Sequence, residues 1–395
     1  MAFSAKHISI KQSGFFTTII NDYVDGEAAL KEFYIHPVNV DGIKAAIKER
    51  SDCNFDRKLI NEVLSNQYSK VGIHPEVQKN LALLSDENTF TVCTAHQPNI
   101  FTGHLYFVYK ILHAVRLAES LSKNIEGKNF VPVFYMGSED ADLEELGTIE
   151  VGGKTYRWNT GQKGAVGRMK VDNKLISLID EISSQVSVQP YGVEIVQLLR
   201  NAYRLGETIE VSTFRLVNEL FGRFGLIILL PDSKSLKGSF EPVLRKELED
   251  EFSGKAVRST LQRFPEKYKV QAGGRSINLF YLEDQIRERI ERTETGFAVN
   301  NSALSFSKSE IENELKNNPE SFSPNVILRP VYQEWILPNV AFIGGGGEIA
   351  YWLELKEVFR DAGVPMPVLV LRNSFMIVPE KLLKVAEKWN LQIED

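Results

Sequence analysis

The residues best suited to chemistry occur in short polar stretches, each of which follows a run of apolar residues. The first is His96-Gln97 with Phe101-Thr102-Gly103-His104, after the β-branched run at 89–95. Thr102 is a typical helix-capping residue, and Gly103 lets a ligand approach the backbone. His104 would then lie in the first helical turn, where the helix dipole favours a neutral imidazole that can donate to phosphate. A proline-containing turn with an ordinary capping threonine is an equally good interpretation.

The second stretch is acidic and follows the apolar run at 130–136. It contains Glu139, Asp140 and Asp142, with Glu144 and Glu145 just beyond. Carboxylates at a strand end could bind a substrate ammonium group, or a Mg²⁺ that carries nucleotide phosphates. The alternative is a solvated acidic helix N-terminus, which fits Glu144 and Glu145 better than Glu139 and Asp140.

The third stretch runs from Arg329 through Gln333, Glu334 and Trp335 to four consecutive glycines at 344–347 and Glu348. Such a glycine run means that the backbone passes close to something or adopts positive φ. A nucleotide ribose or phosphate is the leading candidate, and a tight turn without a ligand is the alternative. The spacing matches neither a P-loop nor a Gly-x-Gly-x-x-Gly motif.

Other side chains of the third stretch could also contact a ligand. Arg329 could pair with Glu334 or clamp a carboxylate or phosphate. Trp335, Tyr351 and Trp352 could stack on a base, although aromatic residues at a helix start are more often part of the core.

Apolar strands that alternate with helices would position these stretches. We predict strands at 89–95, 130–136, 226–230, 339–343 and 365–371, and helices at 104–121, 240–252, 348–361 and 380–390. Near-continuous apolar strands in this alternation are typical of a parallel sheet covered on both faces. The fold class is therefore α/β, a doubly wound parallel sheet, and ligands are expected beyond the carboxyl ends of its strands.

The chain divides into core segments and insertions. Residues 1–88 are predicted to form a mainly helical segment packed on the core, and the core itself comprises 89–146, 226–253 and 329–395. One insertion, 147–225, contains a β-hairpin at 148–158 and helices. The other, 254–328, contains a strand at 277–282, a charged run at 283–292 and a helix at 309–317.

Composition excludes several classes of protein. The 395 residues carry 46 Lys+Arg against 52 Asp+Glu, a net charge of −6, which argues against a nucleic-acid partner. No apolar run approaches the roughly 18–20 residues needed to cross a bilayer, and no secretion signal is visible, so we expect a cytoplasmic protein without a membrane partner. With two cysteines, Cys53 and Cys93, and no zinc motif, we expect no metal site and an inert core thiol at Cys93.

Three blocks of residues resemble a known family. They are the stretch from His96 to Lys110, the stretch Gly137-Ser-Glu-Asp-Ala-Asp-Leu-Glu-Glu145, and Arg329–Glu334 together with 337–352. They are similar to the bacillithiol biosynthesis enzymes that add cysteine to glucosaminyl-malate. The resemblance extends from the N-terminal segment to the end of the chain, and its Gly-Gly-Glu-Ile-x-Tyr-Trp block is specific.

The resemblance implies a Rossmann-type core akin to class I aminoacyl-tRNA synthetases and nucleotidyltransferases. It also implies a homodimer formed through a C-terminal coiled coil. We expect that coiled coil to be largely absent here, because the sequence stops at Asp395 without sustained heptads. Phe101-Thr-Gly-His104 occupies the place of the synthetase His-x-Gly-His signature, and Arg372-Asn-Ser-Phe stands where Lys-Met-Ser-Lys-Ser would be.

The function implied is a ligase that joins the cysteine carboxyl to the amine of glucosaminyl-malate, with ATP, and by expectation Mg²⁺, activating the carboxylate. Candidate catalytic residues are His96, His104 and Arg372. The nucleotide is expected at His96, Gln97, Thr102, Gly103, His104, Gly344, Gly345, Gly346 and Gly347. The small-molecule substrates are expected at Tyr106, Glu139, Asp140, Asp142, Arg329, Gln333, Glu334, Glu348, Tyr351 and Trp352. Arg329 or Arg372 would hold a carboxylate.

Two other functions are compatible with the sequence. A nucleotidyltransferase of the same fold would release pyrophosphate with substrates other than cysteine. A non-catalytic protein that binds glucosaminyl-malate, or delivers a thiol, would bind that substrate tightly without binding a nucleotide.

Overall fold

A computed structural model describes residues 5–53 and 55–391. The predicted segments 1–88 and 329–395 extend beyond these residues at the two ends of the chain. Before the first strand, the chain is helical, as predicted. The helices are α1 (Ile10–Ser13), α2 (Thr18–Val24), α3 (Val40–Ser51), α4 (Arg57–Tyr68) and α5 (Pro75–Leu83), with a 3₁₀ turn at Ala28–Phe33.

The next part of the chain opens the core and contains the first insertion. Its elements are β1 (Thr89–His96), α6 (Tyr106–Asn124), β2 (Asn129–Met136), α7 (Leu143–Leu146), β3 (Thr148–Val151), β4 (Lys154–Arg157), α8 (Asn173–Val186), α9 (Gly192–Ala202) and α10 (Ile209–Phe221). Strands β3 and β4 pair antiparallel, which confirms the predicted hairpin.

The third part of the chain contains one core strand and the second insertion. Its elements are β5 (Ile227–Leu229), α11 (Lys234–Ser239), α12 (Glu241–Asp250), α13 (Phe252–Leu261), β6 (Leu279–Glu283), β7 (Ile286–Arg292), β8 (Gly296–Val299), β9 (Ser305–Ser307), α14 (Lys308–Asn317) and β10 (Phe322–Pro324). Strands β6 to β10 form a separate sheet in the order β10-β6-β7-β8-β9, so the charged run at 283–292 is a hairpin.

The last part of the chain completes the core. Its elements are α15 (Arg329–Ile336), β11 (Asn339–Gly344), α16 (Gly346–Trp352), α17 (Lys356–Ala362), β12 (Val368–Leu371) and α18 (Glu380–Lys388). The helix predicted at 348–361 is thus two helices, and the one predicted at 240–252 corresponds to α12 and reaches the first residue of α13. The segment that begins at Arg329 is a helix before β11, not a strand end.

The core sheet has the order β5-β2-β1-β11-β12, and its pairs are parallel. In chain order this is third, second, first, fourth, fifth, the Rossmann arrangement, which confirms the predicted fold class. The strands are buried along nearly their whole length, as expected for a parallel sheet with helices on both faces. The direction of winding reverses between β1 and β11, and ligands of such sheets bind at this crevice.

A buried ion pair fastens the N-terminal helices to the core. Arg50 of α3 lies 3.0 Å from the Glu334 carboxylate, and both side chains are almost fully buried. The guanidinium also donates to the backbone carbonyls of Glu334, Asn339 and Pro365. Burial raises the pKa of Glu334 to about 7, against the opposing effect of Arg50.

We predict that Arg50→Ala lowers the free energy of unfolding by about 3–5 kcal/mol, because it leaves the Glu334 carboxylate buried without a partner. Urea denaturation monitored by circular dichroism measures this. Lys58→Ala is the matched control, since Lys58 is 88% exposed and its pair with Glu62 spans 3.9 Å. A loss for Arg50→Ala no larger than that of the control would show that the pair does not hold α3 on the core.

Candidate functional site

The three polar stretches of the sequence meet at one edge of the sheet. His96 at the end of β1 pairs with Met136 at the end of β2, and Thr94 of β1 pairs with Ile343 of β11. The residues that follow β1, β2 and β11 therefore leave the sheet side by side. This brings the loop after His96, the acidic stretch and the glycine run to the carboxyl ends of adjacent strands.

A buried lysine lies at the point where the winding reverses. Lys110 of α6 is 3% exposed, and its Nζ donates to the Ala95 carbonyl at 2.6 Å and to Glu348 Oε2 at 2.5 Å. The same Glu348 oxygen accepts the Gly345 N–H at 2.8 Å. Burial lowers the pKa of Lys110, and the charge of Glu348 opposes this shift. Lys110 thus links the end of β1 to the turn after β11.

Two arginines extend this group of positive charges. Arg329 donates to Gln333 Oε1 and to the Tyr351 hydroxyl, both at 3.0 Å. The Arg372 guanidinium lies 5.2 Å from the centre of the Tyr106 ring. Both arginines are close enough to Lys110 for their charges to lower its pKa further. We call Lys110, Arg329 and Arg372 the cation cluster, and Glu348 is the carboxylate that contacts it.

His96 adjoins the cation cluster and is held neutral. Burial lowers the pKa of His96 to about 3, and the nearby Lys110, His104 and Arg372 lower it further. Its Nε2 atom is buried and has no hydrogen-bond partner in the described residues. A neutral imidazole with one unused ring nitrogen can donate or accept a hydrogen bond with a ligand.

The loop after His96 differs from the prediction. Thr102 does not cap a helix, because α6 begins at Tyr106 and its N-cap residue, Leu105, makes no side-chain cap. His104 therefore precedes the first turn instead of lying in it. Phe101 and Thr102 have φ of 55° and 77°, a left-handed conformation that side chains rarely adopt. The Phe101 N–H donates to the Tyr203 hydroxyl at 2.9 Å, so the first insertion fixes this turn.

The four glycines do not adopt the positive φ that was one of the two predicted reasons for them. Close packing, the other reason, applies at Gly344, where an added Cβ would lie 2.9 Å from the Phe342 ring and 3.1 Å from Glu348 Cβ. At Gly345 an added Cβ would reach 3.4 Å from Arg372 Nε. The run therefore lets β11 turn sharply beside the cation cluster.

Several predicted ligand residues have protein partners instead. Arg329 does not pair with Glu334, which is bound by Arg50, Gln333 and Asn339 in the core. Trp352 is fully buried and its ring stacks on Phe342 and Phe359, with ring centres 4.2 and 5.5 Å away, so it is not exposed to a base.

The carboxylates of the acidic stretch also have protein partners, and each has a different one. Asp142 caps α7 by accepting the Glu145 N–H, and Asp140 accepts from Gln97 Nε2 at 3.2 Å. Glu139 is 7% exposed and forms an ion pair with Lys237. Among the described residues, no group of three or more His, Cys, Asp and Glu side chains is arranged to hold a metal ion.

The ends of β2 and β5 carry a second group of buried charges. Lys237 also contacts Asp232 at 3.4 Å, and Arg168 forms a two-point ion pair with Asp232 at 2.6 and 2.9 Å. We call Glu139, Glu210, Asp232, Arg168 and Lys237 the charge network. The sequence prediction included Glu139 but not Lys110 or the other four residues of the charge network. The one signal was that Asp232 lies two residues after the end of a predicted strand.

The family of the chain follows from comparison with known sequences. The family described as "Bacillithiol biosynthesis BshC, N-terminal Rossmann-like domain" matches residues 3–373. The chain belongs to the BshC family. This confirms the family that the His96, Gly137 and Arg329 blocks indicated.

Curated BshC proteins align over almost the whole chain. A protein of Flavobacterium johnsoniae named "Putative cysteine ligase BshC" is 41% identical over 391 residues, which is 98% of this chain and 73% of that protein. The BshC of Flavobacterium psychrophilum is 41% identical over 97% of this chain and 72% of its own. That of Cytophaga hutchinsonii is 36% identical over 100% of this chain and 74% of its own.

Two further expectations can be compared with the structure. Cys93 is fully buried and burial raises the pKa of its thiol, which confirms that it is an inert core residue. Among the described residues, no helix combines the length and the apolar character that a bilayer span requires.

We predict that the His96 imidazole stays neutral from pH 8 down to pH 5, because both burial and the nearby cations oppose its protonation. Nitrogen-15 NMR of the histidine rings measures this, with the His96 signals assigned from a His96→Asn variant. An Arg372→Ala variant should shift the His96 pKa upwards, since one of the opposing charges is removed. A His96 titration step near pH 6 in the unmodified chain would contradict this arrangement of charges.

Proposed function

We propose that this chain is the catalytic core of a ligase that joins the carboxyl group of cysteine to the amine of glucosaminyl-malate. Membership of the BshC family supports the reaction, and relatives of this chain bear the name of a cysteine ligase. The observation that locates the proposed active site is the cation cluster, which lies where the winding of the Rossmann sheet reverses. This is where such folds bind their ligands.

The chemistry requires an activated carboxyl group. A carboxylate is a poor electrophile, so the proposal includes attack of the cysteine carboxylate on ATP, which gives an acyl-adenylate and pyrophosphate or an acyl-phosphate and ADP. The amine of glucosaminyl-malate then attacks the acyl carbon, loses a proton and expels AMP or phosphate. Positioning and charge stabilisation would supply most of the catalysis.

The cation cluster suits the anionic groups of these reactants. Lys110, Arg329 and Arg372 face one contacting carboxylate, Glu348, so the crevice has an excess of positive charge. Phosphate oxygens and the malyl or cysteine carboxylate are the groups that such an excess would bind. His96, with its free ring nitrogen, would contribute a neutral hydrogen bond at the same place.

The direct test incubates the full-length protein with ATP, cysteine and glucosaminyl-malate and detects bacillithiol by mass spectrometry. We expect product that depends on all three reactants. Pyrophosphate release with other substrates and without cysteine would favour a nucleotidyltransferase. Tight binding of glucosaminyl-malate without any nucleotide binding in calorimetry would favour a non-catalytic protein.

We predict that Arg372→Ala lowers kcat/KM by about 100-fold, because it removes a charge that faces the reacting anions. Arg372 is partly exposed, and within the described chain its guanidinium donates to Asn373 and Ser374 only, so the variant should fold. Arg116→Ala is the matched control, since Arg116 lies on α6 and is 78% exposed. Equal activity of the two variants would place the reacting anions elsewhere.

A further inference from the structure

With all of its carboxylates ionised, the charge network has one positive charge too few. Its three carboxylates, Glu139, Glu210 and Asp232, are matched by two cations, Arg168 and Lys237. The nearest further groups do not change the balance. Arg287 lies near Glu139 and Asp140, and its positive charge is balanced by the negative charge of Asp140. Lys234 is balanced in the same way by Glu320, with which it forms an ion pair. Unbalanced charge in a shielded place is costly unless a proton or a ligand compensates it.

The missing charge can be assigned to one end of the network. Glu139 and Asp232 each contact a cation, whereas Glu210 makes no ion pair with any described residue. Glu210 Oε2 is buried and has no hydrogen-bond partner among the described residues. Glu210 as a whole is half-buried, and its carboxyl group is the shielded part of the side chain.

A second unused polar atom lies beside Glu210. Ser138 lies two residues after the end of β2 and is 1% exposed, and its Oγ atom has no partner in the described chain. The hydroxyl lowers the pKa of Glu210 as a hydrogen-bond donor does, although neither Ser138 Oγ nor Glu210 Oε2 has a described partner within strict hydrogen-bonding geometry. Buried hydroxyl and carboxylate oxygens are nearly always bonded, so two neighbouring oxygens without a closely bonded partner leave room for a further donor.

The first insertion holds this place close to the strand end. The Gly167 N–H donates to the Ser138 carbonyl at 2.9 Å, and the Val166 N–H donates to the Asp140 carbonyl at 2.7 Å. A Cβ on Gly167 would lie 2.4 Å from the Ser138 carbonyl oxygen, so only glycine allows this approach. The following residue, Arg168, is thereby held against Asp232, and Glu210 lies in the first turn of α10.

We propose that Glu210 and Ser138 form a subsite for the primary ammonium group of a substrate. An ammonium group carries one positive charge and three donors, which matches one missing charge and two unused acceptors. This inference rests on the proposed function and assigns its ammonium site to residues other than Glu139, Asp140 and Asp142. Two sources share this chemistry, the amino acid and the amino sugar.

The protonation of Glu210 gives the subsite a signature. Burial raises the pKa of Glu210 to about 8, and Asp232 and Glu139 add to the rise, while Ser138 and Arg168 oppose it. The free protein therefore holds a proton on Glu210 at pH 7. An ammonium group that takes the place of this proton should release about one proton per ligand bound.

The experiment is calorimetry on the full-length protein at pH 7, in two buffers of different ionisation enthalpy. The ligands are cysteine, glucosaminyl-malate, and their counterparts without the amine, 3-mercaptopropanoate and glucosyl-malate. The variants are Glu210→Gln and Ser138→Ala, with Glu219→Gln as the matched control, because Glu219 lies exposed on the same helix.

We expect Glu210→Gln to raise the Kd of one amine ligand about 10- to 100-fold, to leave its amine-free counterpart within twofold, and to abolish the proton release. Ser138→Ala should raise the same Kd by a smaller factor. The ligand affected identifies the source of the ammonium group, the amino acid or the amino sugar.

Unchanged Kd values in Glu210→Gln, with both substrates still bound by the wild type, would overturn this inference and leave the proposed function standing. Equal loss of an amine ligand and its amine-free counterpart would overturn it too, since the effect would not depend on the ammonium group. A wild type that binds neither substrate would contradict the proposed function, and this inference with it.

Discussion

The arrangement of the site depends on the burial of one ammonium group. Lys110 cannot remain charged in the core unless its donors are bonded, and its two partners are the last buried carbonyl of β1 and the Glu348 carboxylate. Glu348 is fixed in turn by the Gly345 N–H. The two strands on either side of the winding reversal are therefore tied together at their carboxyl ends. Arg329 and Arg372 lie close enough to Lys110 for their charges to act on it.

The edge of the sheet consequently has two electrostatic regions. At β1 and β11 the cations outnumber the carboxylate that contacts them, while at β2 and β5 the charge network has three carboxylates and two cations. The proposed reaction joins a carboxyl group, activated by a phosphate group, to an amine. It therefore needs a site for the anionic phosphate and a site for an ammonium group at neighbouring positions. The two regions lie on adjacent parallel strands, since β1 pairs with β2 throughout its length.

The sequence was sufficient to predict the layers of the fold and the edge of the sheet at which the polar stretches meet. The predicted core strands correspond to observed strands because continuous apolar runs specify buried parallel strands whatever their neighbours are. The family was also recognisable from the sequence, because the glycine block and its flanking residues are specific.

The roles of individual side chains could not be read in the same way. A lysine among apolar helix residues is normally expected to face solvent, and Lys110 is buried because it meets Glu348, which lies 238 residues later in the sequence. Glu334 is paired with Arg50, which lies 284 residues before it. The turn at Phe101 and Thr102 depends on Tyr203 of an insertion. Each of these contacts joins distant parts of the chain, so a local sequence pattern does not reveal it.

The most direct measurement is a crystal structure of the protein with a non-reactive analogue of cysteinyl-adenylate. We expect the phosphate-like group of this analogue within hydrogen-bonding distance of Arg372, Lys110 or the Gly345–Gly347 backbone, at the carboxyl ends of β1 and β11. A fully occupied analogue at the opposite end of the sheet, in the cavity of about 1030 Å³ that Arg57, Lys58 and Lys128 line, would contradict the proposed site.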